Sequence, residues 1–147
     1  MIFVASDHEG LELKKKIVDH LTSKGLGVQD VGPFEFHKDD DYPNFIYPCA
    51  VKVAQDANNR GIVLGLTGNG EAMVANKVKG IRAAVYNANN LKIAELSRRH
   101  NDANMLSLGA GFLSTEEALQ AIDVWLATAF EGGRHERRIE EITSLER

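Results

Sequence analysis

Short, mostly apolar runs alternate with longer amphipathic stretches along the whole chain. Ile2 to Ala5, Leu26 to Val31, Ile62 to Leu64, Ile81 to Tyr86 and Met105 to Leu108 read as five strands. The unbroken apolar character of Ile62-Val63-Leu64 is what a strand buried on both faces of a parallel sheet requires. Between the strands, the period changes to that of helices. Leu11 to Lys24 carries Leu13, Ile17, Val18 and Leu21 on one face, with Lys14, Lys15 and Lys16 predicted on the solvated side, and Gly25 ends it. A helix from about Asn44 to Ala57 is predicted to turn Phe45, Ile46, Cys49, Val53 and Ala54 inward. Ala72 to Ala75 supply packing residues for a helix ending near Lys79-Gly80, and Leu91, Ile93, Ala94 and Leu96 form the apolar face of one from about Asn89 to Arg99. Ser114-Thr115-Glu116-Glu117 is a capping box that opens a helix to about Phe130.

Strands alternating with helices predict an α/β fold, a doubly wound five-stranded parallel sheet between two helical layers. Right-handed crossovers then bring the loops that follow the strands to one rim. That rim collects Asp7-His8, Tyr42, Thr67 to Glu71 and Asn87. Residues 1–147 read as a single domain. The last segment, Arg134 to Arg147, has only Ile139, Ile142 and Leu145 as apolar residues, three apart. So thin a stripe suits a helix lying on a partner subunit.

The central run ends in Gly65-Leu66-Thr67-Gly68-Asn69-Gly70-Glu71. Glycines before a helix let backbone N–H groups approach a ligand. Two known glycine loops are excluded. The dinucleotide pattern fails because its third glycine would fall on Met73. The triphosphate loop fails because Glu71 stands where lysine is needed and Ala72 where a hydroxyl would hold magnesium. The loop therefore suits an oxygen-rich ligand held beside a carboxylate, although Glu71 in a first helical turn is also simply favourable to the helix dipole.

Composition narrows the class. With 44% hydrophobic and 26% charged residues among 147, the chain can bury roughly 70% of its unfolded surface unaided. A net charge of −4 gives no electrostatic ground for nucleic acid or an anionic membrane as partner. The single cysteine excludes a disulfide framework and, with no signal-like or membrane-spanning run, predicts a cytoplasmic location.

The five histidines show no metal-ligand spacing, and no serine elbow is present. Cys49 falls mid-helix, away from any thiolate-stabilising helix start. What remains is a carboxylate beside an anion loop, histidines on neighbouring loops and arginines near the end. That set suits proton abstraction next to a carbonyl, with the loop amides holding the enediolate oxygen. Arg134 and Arg138, four apart, share one helix face.

Six stretches in order resemble the ribose-5-phosphate isomerase B family, which includes galactose-6-phosphate isomerase subunits. They are Asp7-His8, Asp41-Tyr42-Pro43, Thr67 to Glu71 with Ala75-Asn76-Lys77, Gly80-Ile81-Arg82, Arg99-His100-Asn101-Asp102, and Glu131-Gly132-Gly133-Arg134-His135. The resemblance implies a Rossmann-like, metal-free and cofactor-free aldose–ketose isomerase acting on a small sugar phosphate. It further implies a homodimer, or a pair of dimers, in which segment 131–147 reaches the partner's site. In the family the base is either a cysteine ending the central strand or a glutamate after the glycine loop. Gly65 occupies the cysteine position, so the resemblance makes Glu71 the base. It gives ring opening to His100, with Asp7 and Thr67 assisting proton handling. Gly68, Asn69 and Gly70 would hold the enediolate, His8 with Arg134 and Arg138 the phosphate, and Tyr42 and Asn101 the sugar hydroxyls.

Each role has a plainer counterpart. For Asp7 it is to orient His8, for His100 to cap a helix, for Tyr42 to pack beside Pro43, and for the arginines to be surface charge. One departure stands out: Gly109-Ala110-Gly111 lacks the arginine that the family commonly places at position 111. A tetrose or hexose phosphate, or an unphosphorylated sugar, therefore stays open as substrate. A non-catalytic flavodoxin-like phosphate or nucleotide binder, and a subunit of a hetero-oligomeric isomerase, are the other readings.

Overall fold

The computed structural model describes residues 1–146; Arg147, the end of the last predicted segment, lies outside them. Five strands are present, β1 (Ile2–Ser6), β2 (Val28–Gly32), β3 (Arg60–Gly65), β4 (Ala83–Tyr86) and β5 (Met105–Gly109). They form one sheet in the order β2-β1-β3-β5-β4, parallel throughout. Strand order reverses between β1 and β3, which is the switch point of a Rossmann-like fold, and a crevice opens beyond the ends of those two strands.

Side-chain alternation along the strands divides the core in two. Ile2, Val4, Ile62, Leu64, Leu106 and Leu108 face α1 (Leu11–Ser23), α4 (Leu91–Arg99) and α5 (Thr115–Ala127). Phe3, Ala5, Val63 and Met105 face α2 (Pro43–Ala54) and α3 (Asn69–Ala75). The three predicted layers are thus present. Ser114 caps α5 through the full reciprocal capping box. A sixth helix, α6, runs from Arg134 to Ser144.

Four sequence expectations are corrected. Lys14 is not on the solvated face: it is 1% exposed, and its Nζ donates to Asp30 Oδ1 at 2.6 Å and to Pro33 O at 2.5 Å. A helical period places position 14 between the apolar and polar sides, and the anchor it finds lies on β2. Ala54 is exposed, because α2 ends there and its inward row closes on Val53. Met73 and Ile93 also face outward, at 67% and 49% exposed. Helix α3 is only seven residues long, so one narrow row, Glu71, Ala72 and Ala75, is buried.

Candidate active site

The switch-point crevice is built by three segments. After β1, Asp7 caps the 3-10 turn His8–Gly10, its Oδ1 accepting from the amides of Glu9 at 2.8 Å and Gly10 at 3.3 Å. Burial pushes the Asp7 carboxyl above its ordinary range, against the pull of those two amides. Its observed contact is this cap, which aims His8.

After β3, the chain turns through Gly68, whose φ of +81° is accessible to glycine at little cost. Ser107 Oγ ties the turn to β5 by donating to Gly68 O at 2.6 Å, and Asn87 Nδ2 donates to Thr67 O at 3.0 Å. Thr67 Oγ1 accepts from the Asn69 amide at 3.2 Å. Amides at the start of α3 have no acceptor one turn back within the helix.

Glu71 follows in the first turn of α3 and is 4% exposed. Its carboxylate lies against the backbone of Gly65, in the volume that any β-carbon at position 65 would fill. Burial raises the Glu71 pKa above its ordinary value, Asp7 adds to that, and a bond to its own backbone amide partly offsets it. Over the loop, the Tyr42 hydroxyl sits 2.7 Å from where a β-carbon on Gly70 would be, so Tyr42 closes the mouth next to the amides.

The third segment is the loop before α2. Asp40 Oδ1 meets His8 Nδ1 at 2.6 Å, and the His8 and Phe36 rings meet at right angles with centroids 5.7 Å apart. The bond to Asp40 raises the His8 pKa and favours its imidazolium. Asp40 is absent from the sequence reading. It lies in the run Asp39-Asp40-Asp41, and no periodicity tells which of three adjacent acids in a loop turns inward. Cys49 is fully buried and burial pushes its thiol up to about 12, in keeping with a packing role.

The remaining predicted residues lie at the other end of the sheet. His100 follows α4 and Asn101 precedes β5, so both stand where strands begin. The Glu131 amide donates to Arg99 O at 3.0 Å, which fixes the start of the Glu131–Arg138 stretch beside them. At about 3.3 Å per residue, the sheet separates this group from the Glu71 crevice by roughly 16 Å. One chain therefore assembles Asp7, His8, Tyr42, Thr67 to Glu71 and Asp40, and does not bring His100, Asn101, Arg134 or Arg138 to them. In that second group His100 stacks on His135, with ring centroids 4.3 Å apart and planes 12° apart. Ser107 had no distinguishing pattern in the sequence, and Glu131 and His135 stood in the Glu131-Gly132-Gly133-Arg134-His135 stretch without a role of their own.

Position 111 is likewise explained by a neighbour. A β-carbon on Gly111 would lie 2.5 Å from Leu66 Cδ1 and 3.1 Å from Leu66 O. Leu66 covers the place from which a longer side chain would start.

Comparison with known proteins gives the chain its relatives. The ribose/galactose isomerase family model matches residues 2–142. The probable ribose-5-phosphate isomerase B of Mycoplasma genitalium is 45% identical over 147 residues, 99% of this chain and 95% of the relative. The ribose-5-phosphate isomerase B of Escherichia coli is 41% identical over 95% of this chain and 92% of its own. Among solved structures, the M. genitalium ribose-5-phosphate isomerase B with bound ribulose-5-phosphate superimposes with a TM-score of 0.95, covering 99% and 95% of the two chains at 45% identity. The Clostridium thermocellum ribose-5-phosphate isomerase B gives 0.90 at 43% identity, covering 99% and 96%.

Proposed function

Because the chain belongs to the ribose/galactose isomerase family, we propose that it interconverts ribose 5-phosphate and ribulose 5-phosphate through an enediolate, with Glu71 as the base. The observation that carries this reading is the buried Glu71 carboxylate seated against Gly65 at the mouth of the glycine loop. A carboxylate whose pKa is raised by burial is a stronger base when ionised, and it is matched better to the weakly acidic proton beside a carbonyl.

In this mechanism His100 moves a proton at the ring oxygen so that the furanose opens. Glu71 takes the proton from C2 of the aldose and returns it to C1, while the hydroxyl proton passes from O2 to O1, and together these moves shift the carbonyl from C1 to C2. Charge that develops on the enediolate oxygen meets the amides of Gly68, Asn69 and Gly70, in a loop whose shape is fixed by Ser107 and Thr67 before substrate arrives. Thr67 and Asp7 assist the proton transfers. The His8 cation, held by Asp40, grips the phosphate with Arg134 and Arg138. Tyr42 and Asn101 contact sugar hydroxyls.

The site is completed by a second copy. Glu71 and His100 stand at opposite ends of one sheet, so a single sugar reaches both only if they come from different chains. The outward apolar residues of the C-terminal segment, Ile142 and Leu145, at 49% and 78% exposed, supply a face for that copy. A homodimer, alone or paired with another, is the assembly this geometry favours, with 131–147 crossing to the partner. Among the described residues no helix is long and apolar enough to cross a membrane.

Proton NMR of ribose 5-phosphate in D₂O with the enzyme and a chelator tests the reading. Ketose formation with deuterium entering at the transferred position, and none with Glu71→Gln, is the expected result. Silence with the pentose but turnover of a tetrose or hexose phosphate would reassign the substrate through Gly111. Silence across the panel would overturn isomerisation.

A further inference from the structure

The five histidines show no metal spacing along the chain, yet folding brings two of them and an acid together. One ligand atom from each of His100, Glu131 and His135 lies within 4.8 Å of the other two. His100 Nε2 stands 3.9 Å from Glu131 Oε2. His135 is 6% exposed, and among the described residues its Nε2 has no hydrogen-bond partner. A desolvated imidazole nitrogen without a partner is unusual in a folded chain, where such groups meet protein, ordered water or a bound ion.

We propose that His100, Glu131 and His135 form a binding site for a divalent transition ion of the zinc type, and that its occupation switches isomerisation off by taking up His100. The second half of this rests on the reading of His100 as the ring-opening group. Two imidazoles and one carboxylate are a donor set that suits zinc and its neighbours, and not magnesium or calcium, which want oxygen ligands. Bonds of about 2.0–2.1 Å to a tetrahedral ion need donor atoms about 3.3 Å apart, so the trio must draw together by up to roughly 1.5 Å, and the His100 ring must turn out of its stack on His135, since two parallel imidazoles cannot both aim an in-plane lone pair at one ion. The parts able to do so are the half-exposed ones: His100 at the end of α4 and Glu131 in the connection to α6. His135, packed beneath them, is the fixed ligand.

Competition is built in. Arg99 Nη2 lies 3.4 Å from the same Glu131 oxygen, and Arg99 must release it. The surrounding arginines also repel a cation. The site therefore selects ions that bond strongly to nitrogen and binds them reversibly. A metal-bound His100 has its ring nitrogen committed and cannot exchange a proton with the sugar.

The test is calorimetric titration of the chelator-treated full-length protein with zinc chloride, with magnesium chloride as control. One zinc per chain is expected, with no heat from magnesium. Affinity should fall at least tenfold in both His135→Ala and the more exposed Glu131→Gln, which leaves the fold intact. Cobalt substituted for zinc should give the visible absorption of a tetrahedral ion, lost in the same variants. Zinc should lower wild-type turnover reversibly while Glu131→Gln, compared with its own zinc-free rate, resists it. No stoichiometric binding, or binding unaltered in both variants, overturns the site. Stoichiometric zinc with unchanged turnover overturns the inhibitory role. Absence of turnover in the zinc-free enzyme would instead be a failure of the functional reading, and calorimetry still decides the site.

Discussion

His8 Nδ1 and Asp40 Oδ1 stand 2.6 Å apart although 32 positions separate the two residues. The bond fixes the ring and holds its pKa above 6.5, so the cation persists to higher pH than an isolated histidine allows. In Asp40→Asn that support is lost and the His8 pKa falls back. Above the ordinary histidine range, KM for a sugar phosphate should rise about fivefold in the variant, the factor that roughly 1 kcal/mol represents. Below about pH 6 both enzymes carry the His8 cation and the difference should shrink. Steady-state kinetics across that range decide it; a pH-independent change would mean Asp40 acts only by shape.

Glu71 is the group whose charge the fold opposes and the reaction needs. With a folded pKa raised above the unfolded value, its protonated form is stabilising below the unfolded pKa, and that contribution is lost as pH rises through the folded pKa. Glu71→Gln should therefore abolish turnover by a factor of at least about 10² while raising the melting temperature at neutral pH by a few degrees. Calorimetric melts beside activity assays test both halves. Asp7→Asn removes a neighbouring charge that raises the Glu71 pKa, so the acid limb of kcat/KM should move to lower pH.

Gly65 is required by volume. A methyl group there would overlap the Glu71 carboxylate, so Gly65→Ala should cost about 1–3 kcal/mol and most of the activity. Replacing Glu71 by alanine in the same chain frees that space. Denaturant unfolding of the double variant should show much of the stability regained and no activity, a departure from additivity expected of groups in contact.

The same reasoning separates two variants at the far side of the loop. Gly111→Arg alone meets Leu66 and should not lower KM. Combined with Leu66→Gly, the arginine has room to leave the backbone, and KM for the phosphorylated sugar should fall several-fold. A lower KM in the single variant would show that Leu66 yields freely.

A shared site predicts complementation. Glu71→Gln and His100→Ala are each expected to be inactive. Mixed after denaturation and refolding, they form hybrids in which one site carries both changes and the other neither. Random pairing should restore about a quarter of wild-type activity. No recovery, with hybrids verified by native mass spectrometry, would place both groups in one chain's site.

What the sequence determined is what local chemistry determines. Apolar runs and helical periods gave five parallel strands in two helical layers, Ser114 and Glu117 gave the start of α5, and the glycine loop pointed to Glu71 because a carboxylate is out of place in a phosphate cradle. These are properties of neighbours in the chain. The tertiary structure decided whatever depends on which side chain meets which across the fold. It took Lys14 from the solvated face to Asp30, chose Asp40 from three adjacent acids, and set Glu71 in the space that glycine leaves at position 65. It also placed Glu71 and His100 at opposite ends of the sheet, and stacked His135 beneath His100. Contacts between distant segments carry no period, and they follow only from strand order and the directions in which helices return.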